Sequence, residues 1–371
     1  MHTKTLTVVF AGATALGLVL TGCGGGSGDS ASSENQDDNG DLVVGGELIA
    51  TSDVYEAAQE EGSIVFYTGG SEQSEGQVAE AFTDATGIDV EIVRLPPNKL
   101  NERILSEAAA GKLGADVIRT SGEDLITGLA DADVFQPTEL TEEVSGALIP
   151  EATYEDGLYY NSFDRVYSFG YNNQLVSEAD APQNWSDLLD EEWRGKSAIV
   201  QVGAGGSTAA LTRMQLEVLG EDWLTDYAAL DPRIYDSSAA LTDGLARGEV
   251  SVGTIPIATA YSASLEGAPI TIATPEEGAA AYPFYLGQSS STERSDAATV
   301  FINWNMSSAG QELAASIGDY PVREGMPNPT IGDVELPAAD SGFLFRASLE
   351  DSLEHLQPDA ELWMQIFGYT G

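Results

Sequence analysis

Three short stretches place small hydroxyls and glycines where a backbone could grip a ligand: "YTGGSEQ" at 67–73, "IRTSGED" at 118–124 and "GAGGSTAA" at 203–210. In the first, Thr68, Gly69, Gly70 and Ser71 follow an apolar run and precede helical spacing. Bare amides at a helix start beside hydroxyls suit an oxygen-rich or anionic group; the plainer account is a tight turn. In the second, Arg119, Thr120 and Ser121 leave another apolar run, and Arg119 is one of only 15 basic residues. A guanidinium can clamp a carboxylate or phosphonate through two hydrogen bonds. It can equally be used up in a salt bridge with one of the many acids nearby. In the third, Gly205, Gly206, Ser207 and Thr208 repeat the pattern, with glycine allowing close backbone approach and the hydroxyls either capping the helix or binding oxygen.

Other chemistries find little material. Outside the first few residues the chain has one histidine, His355, which argues against a Ser-His-Asp triad and a His-rich zinc site. There is no H-E-x-x-H, no complete G-x-S-x-G, and no P-loop lysine in "GAGGST". Lys plus Arg total 15 against 60 Asp plus Glu, a net charge of −45. Such a field repels nucleic acid and anionic lipid, so no nucleic-acid partner is expected. It reads as a solvated acidic surface. The enzymatic alternative is a surface hydrolase working with a carboxylate pair, since two acids suffice for glycoside hydrolysis.

The only cysteine, Cys23, has a different setting, between the apolar run 6–20 and the polar stretch "GGGSGDSASSENQDDNGD". The apolar run is too short to span a bilayer and reads as the core of a secretory signal. "LTGC" at 20–23 looks like a bacterial lipobox. The expectation is a signal peptide over 1–22 and a lipid anchor on Cys23. Residues 23–59 then form a flexible tether holding the protein at the outer face of the cell membrane.

The elements that must position the candidate loops follow from periodicity. About 320 residues remain, more naturally two lobes than one. Residues 64–67 read as a strand, 78–85 as a helix stopped by Gly87, and 88–93 as a second strand, a β-α-β unit with ligand sites at strand ends. A helix over 98–110, a strand over 116–119 and a helix over 124–130 follow. "DGLYYNSFDRVYSFGYNN" reads as hairpin-like, 184–193 as a helix, 197–202 as a strand and 208–219 as a helix. Segments 253–257, 270–274 and 301–306 continue the alternation. Trp185, Trp193, Trp223 and Trp304 are expected in the core.

The order of "IVFYTGGSEQ", "AFTDATGIDVE", "GADVIRTSGEDL", "NWSDLLDEEWRGKSAIVQ", "AALTDGLARGEVSVGTI", "LEGAPITIATPEEG" and "FINWNMSSAGQELAASIGDYPVRE" resembles the extracellular solute-binding proteins of ABC importers. The nearest branch takes ferric ion, polyamines, thiamine and phosphonates. The resemblance covers roughly 60–325. It implies an α/β, two-lobed periplasmic-binding-protein-like (type II) fold with an interlobe cleft and hinge, no catalysis, a permease partner and a monomer. The chain would cross between lobes near 166–171 and 273–283. Lobe one would hold 60–165 and 284–340, lobe two 166–283, with 341–371 a helical segment on lobe two.

By the same layout Ser237, Ser238, Thr259 and Tyr261 lie at the cleft. The expected ligand is a small oxyanion held by the two glycine-rich helix starts with Arg119 between them. Ferric iron is the alternative, carried as cargo with no resident cofactor, and a polyamine or other cation is a third. The family's iron binders commonly use a tyrosine pair here, but Tyr261 is preceded by Ala260, and the first loop offers only Glu72 in place of a histidine.

Overall fold

In the computed structural model, residues 35–332 and 334–370 are described; the expected signal segment and lipid-anchored Cys23 lie outside them. The first described elements are β1 (Leu42–Val44) and β2 (Glu47–Ala50), an antiparallel pair. This corrects the tether. Leu42, Val44, Ile49 and Ala50 are buried in one cluster with Phe66, Phe82 and Phe301, so residues from 42 onward belong to the folded domain. Three larger apolar side chains in a polar context were enough, because the partners that bury them lie far away in sequence.

There follow α1 (Ser52–Glu61), β3 (Ser63–Thr68), α2 (Glu72–Thr86), β4 (Asp89–Arg94), α3 (Pro97–Ala109), β5 (Val117–Ser121) and α4 (Glu123–Asp131). β3 pairs parallel with both β4 and β5. Ser71 caps α2 by accepting from the Ser74 amide, and Gly87 ends it in the left-handed region at φ 74°. Short β6 (Phe135–Gln136), α5 (Glu142–Ser145) and β7 (Thr153–Tyr154) lead to β8 (Tyr159–Asn172).

β8 is not a hairpin but one buried strand of 14 residues. Its first half pairs with β7 and its second half with β11 (Val252–Pro256). Between β8 and β11 run β9 (Ala198–Val200), α6 (Gly206–Met214), α7 (Glu221–Ala229), β10 (Arg233–Tyr235) and α8 (Ser238–Ala246). The expected helix at 184–193 is instead two 3-10 turns, Trp185–Leu189 and Glu191–Trp193, broken where Asp190 takes an extended ψ of 135°. The helix expected to run to 219 leaves α-geometry after Met214 for one π-turn.

α9 (Ile257–Leu265), β12 (Ile270–Ile272) and β13 (Ala279–Ser289) follow. The principal strand order is β11-β8-β13-β5-β3-β4. β13 pairs antiparallel with β8 along Ala280 to Leu286 and with β5 along Phe284 to Gln288, so β8 and β13 are the two strands that cross between lobes. Next come α10 (Ser295–Met306), which takes up 301–306, and α11 (Ser308–Ser316). β14 (Thr330–Ile331), β15 (Val334–Glu335), β16 (Leu344–Phe345) and α12 (Leu349–Phe367) complete the described order. Trp363 of α12 is buried with Trp185, Trp223 and Tyr227, and α12 packs chiefly on α6 and α7. No described helix is long and apolar enough to cross a membrane.

Candidate functional site

The sheet brings two of the candidate loops edge to edge. Parallel pairing sets Thr68 beside Arg119, and the Gly69 amide donates to the Arg119 carbonyl at 2.8 Å. Most of the polar groups in this corner are already engaged. Thr68 Oγ1 accepts from the Gly70 amide at 2.9 Å, and Ser71 Oγ is tied to Ser74 within its own helix turn.

Arg119 is not the open guanidinium that an anion cradle requires. Its Nη1 donates to Glu75 Oε2 at 2.8 Å, its Nη2 to Asn305 Oδ1, and both side chains of the ion pair are 1% exposed. The guanidinium also lies 5.2 Å from the Phe66 ring and 5.1 Å from the Phe163 ring. Burial lowers the Arg119 pKa, and the Glu75 charge opposes that. Phe163 lies against a second guanidinium, Arg165, which makes a bidentate pair with Asp319 at 2.8 and 2.6 Å. Sequence reading missed Glu75, Asn305, Phe163 and Asp319. The one available signal was Glu75, one helical turn beyond the Ser71 cap.

The third loop meets the second across the lobes. α4 starts after Gly122, which sits at φ 106°. A Cβ added to Gly206, the first residue of α6, would lie 2.5 Å from Gly122 Cα and 2.8 Å from its nitrogen. Only glycine permits this approach, and it sets the amide-bearing starts of α4 and α6 against each other. Thr120 Oγ1, buried one strand position away from Ser121, has no hydrogen-bond partner. Alongside runs a cavity of about 260 Å³ whose polar wall is Asn98, Asp124, Gly203, Gly205, Gly206 and Gln357.

Thr208 does not face this space with a free hydroxyl. Its Oγ1 lies 2.7 Å from the Val202 carbonyl and 2.8 Å from the Gly205 carbonyl, which makes it a capping residue. Ser207 is half-buried. Glu123, in the first turn of α4, has its carboxyl pushed up to about 7, chiefly by burial.

Three candidates fall elsewhere. Ser238 pairs with the Tyr167 hydroxyl at 3.2 Å, and Ser237 caps α8. Tyr261 packs on α9 against the cluster of Tyr320, Ile331 and Leu336, close to Gly332. No group of three or more His, Cys, Asp or Glu side chains is arranged to hold a metal among the described residues.

Two lobes joined by crossing strands, with glycine-rich helix starts opposed at the junction, define a periplasmic-binding-protein fold. Comparison with solved structures agrees. Iron-bound HitA from Pseudomonas aeruginosa superposes with a TM-score of 0.65 at 22% identity, over 82% of this chain and 99% of that one. AfuA from Actinobacillus pleuropneumoniae, with fructose-6-phosphate bound, gives 0.68 at 16% identity, over 84% and 100%.

The chain belongs to the bacterial extracellular solute-binding protein family, whose model matches residues 77–338. It is therefore a binding protein and not the surface hydrolase that the carboxylates left open. Among curated relatives it is 26% identical to the Fe(3+)-binding periplasmic protein of Serratia marcescens, over 54% of this chain and 58% of that protein. It is 23% identical to the major ferric iron-binding protein of Neisseria gonorrhoeae, over 52% and 58%. The chain spans about half the length of the curated relatives it matches.

Proposed function

We propose that the protein captures a small oxyanion-bearing solute at the junction of Ser121, Gly122, Gly205, Gly206 and Ser207, and hands it to an ABC importer permease. The observation that carries this reading is the opposition of two helix starts at Gly122 and Gly206. Their first amides have no partners within their own helices, and their aligned dipoles favour negative charge. The centre of the site thus moves from Arg119, which Glu75 neutralises, to the interlobe contact. The adjoining cavity of about 260 Å³ suits a compact solute.

A second reading is favoured by Asp124, whose carboxylate lines that cavity among amides and would repel a bare anion. A ferric ion carrying its own oxyanion would satisfy both, in keeping with the printed names of the relatives. Calorimetry of the purified protein against methylphosphonate, citrate, ferric citrate and spermidine separates the readings. Heat with the anions alone supports the first and heat with ferric citrate alone the second. Response only to spermidine overturns both. Gly206→Val should abolish binding, because its side chain cannot coexist with the Gly122 backbone.

The lipid anchor at Cys23 is part of the same proposal and rests on the lipobox and the polar stretch that follows it. Mass spectrometry of the native N-terminus should find an acylated Cys23 and no Met1; a free thiol there refutes it.

A further inference from the structure

We infer that the corner formed by Gly70 and Arg119 is a carboxylate-binding site that the protein fills from within, using Glu75, and that Glu75 thereby confines solute recognition to the interlobe contact. The filled corner stands on this ion pair alone; that it confines recognition to the interlobe contact rests on the solute reading above.

The geometry is that of a ligand in a site. Glu75 lies in the first turn of α2 and reaches back over the loop that starts the helix. Its Oε1 lies 1.9 Å from where a Gly70 Cβ would be, so the glycine is what makes room for the carboxylate. Its Oε2 takes the Arg119 Nη1 hydrogen bond at 2.8 Å. The partner cation is held from every other side. Asn305 accepts from Nη2, the Phe66 and Phe163 rings flank the guanidinium, and Arg119 Nε is buried without a partner.

A preformed cation facing a helix start is what binds a free carboxylate. Glu75 has neutralised it at no entropic cost of capturing a solute. Arg94 closes the edge, donating from Nε to the Gly70 carbonyl at 3.0 Å. The Arg119 guanidinium therefore presents no net positive charge to a solute anion. Glu75 acts as a specificity-determining residue by occupying the competing site.

The test is chemical rescue. Glu75→Ala empties the carboxylate position and leaves Arg119 unpaired, so the variant should melt lower than the parent. Sodium acetate or formate should raise its melting temperature in a saturable way, while sodium chloride at equal ionic strength should not. The parent and the double variant Glu75→Ala/Arg119→Met should show no such acetate-specific rise, since one has its carboxylate and the other has no cation. If Glu75→Ala is recovered unfolded, its refolding yield in acetate against chloride is the same readout. The inference is overturned if acetate and chloride act alike on Glu75→Ala, or if the double variant responds to acetate as strongly as the single one. Glu75→Gln, which keeps the shape and fills the position, should be insensitive to acetate; a rescue there equal to that of Glu75→Ala also overturns it.

Discussion

Glu123 is the residue whose protonation most directly couples stability to pH. Its carboxyl stands at about 7 because burial penalises the charged form, against 4.5 when unperturbed. The folded protein therefore holds a proton there that the unfolded chain has released. Stability from this group is fully present below about pH 4.5 and is lost as pH rises towards 7. A shift of that size corresponds to roughly 3 kcal/mol. Glu123→Gln mimics the protonated form, so it should gain on the parent between pH 5 and 7.5 in urea unfolding. A constant difference across that range would show that Glu123 is ionised in the fold.

Among elements, the antiparallel pair β1 and β2 tests where the folded domain starts. Leu42 is fully buried and packs in the same cluster as Ile49, Tyr55 and Phe301. Leu42→Ala should cost about 2–5 kcal/mol, the usual range for a leucine removed from a packed core. A urea midpoint unchanged from the parent would return residues 42–59 to the tether. The Arg323 guanidinium supports the packed arrangement, pairing with Glu47 at 2.7 Å where both are largely buried. α12 contributes at the other end, where Trp363 stacks on Phe367 with ring centroids 4.4 Å apart. Its Arg213 partner on α6 is shared among Glu217, Asp351 and Asp359.

For the whole molecule the dominant fact is the charge of −45. Most ion pairs of the structure use up the few cations locally, and the excess of acids repels itself when the chain is compact. Salt screens that repulsion over a Debye length of about 8–10 Å near 0.1 M. The melting temperature should rise from low salt towards molar sodium chloride. A flat or falling curve would mean that local pairing already compensates the surface. Closure has its own signature. Gly206→Val should leave the lobes unable to meet, so small-angle scattering would show a larger radius of gyration than for the parent. An unchanged radius would mean the helix starts are not in contact in solution.

The residue pattern by itself determined the class of this protein and the local identity of most elements. Apolar runs such as 64–67, the serine cap at Ser71 and the stop at Gly87 are short-range signals, and the β-α-β order that follows from them is the fold's own grammar. Ordered stretches from "IVFYTGGSEQ" to "YPVRE" carried the family. Loop 68–71 lies beside 119–121, and Gly122 meets Gly206.

What only the tertiary structure decided depends on partners distant in sequence. β8 reads locally as a hairpin, but β13 and β11 pair with its successive halves and hold it extended. The opposition of Gly122 and Gly206 depends on two chain crossings. The fold packs Tyr261 of α9 beside Gly332. Arg119 has the right type for an anion, and nothing in its neighbouring residues reveals that Glu75, 44 positions earlier, already pairs with its guanidinium. A residue's chemistry is written in its type, but whether that chemistry is free depends on which groups the fold brings within hydrogen-bond reach.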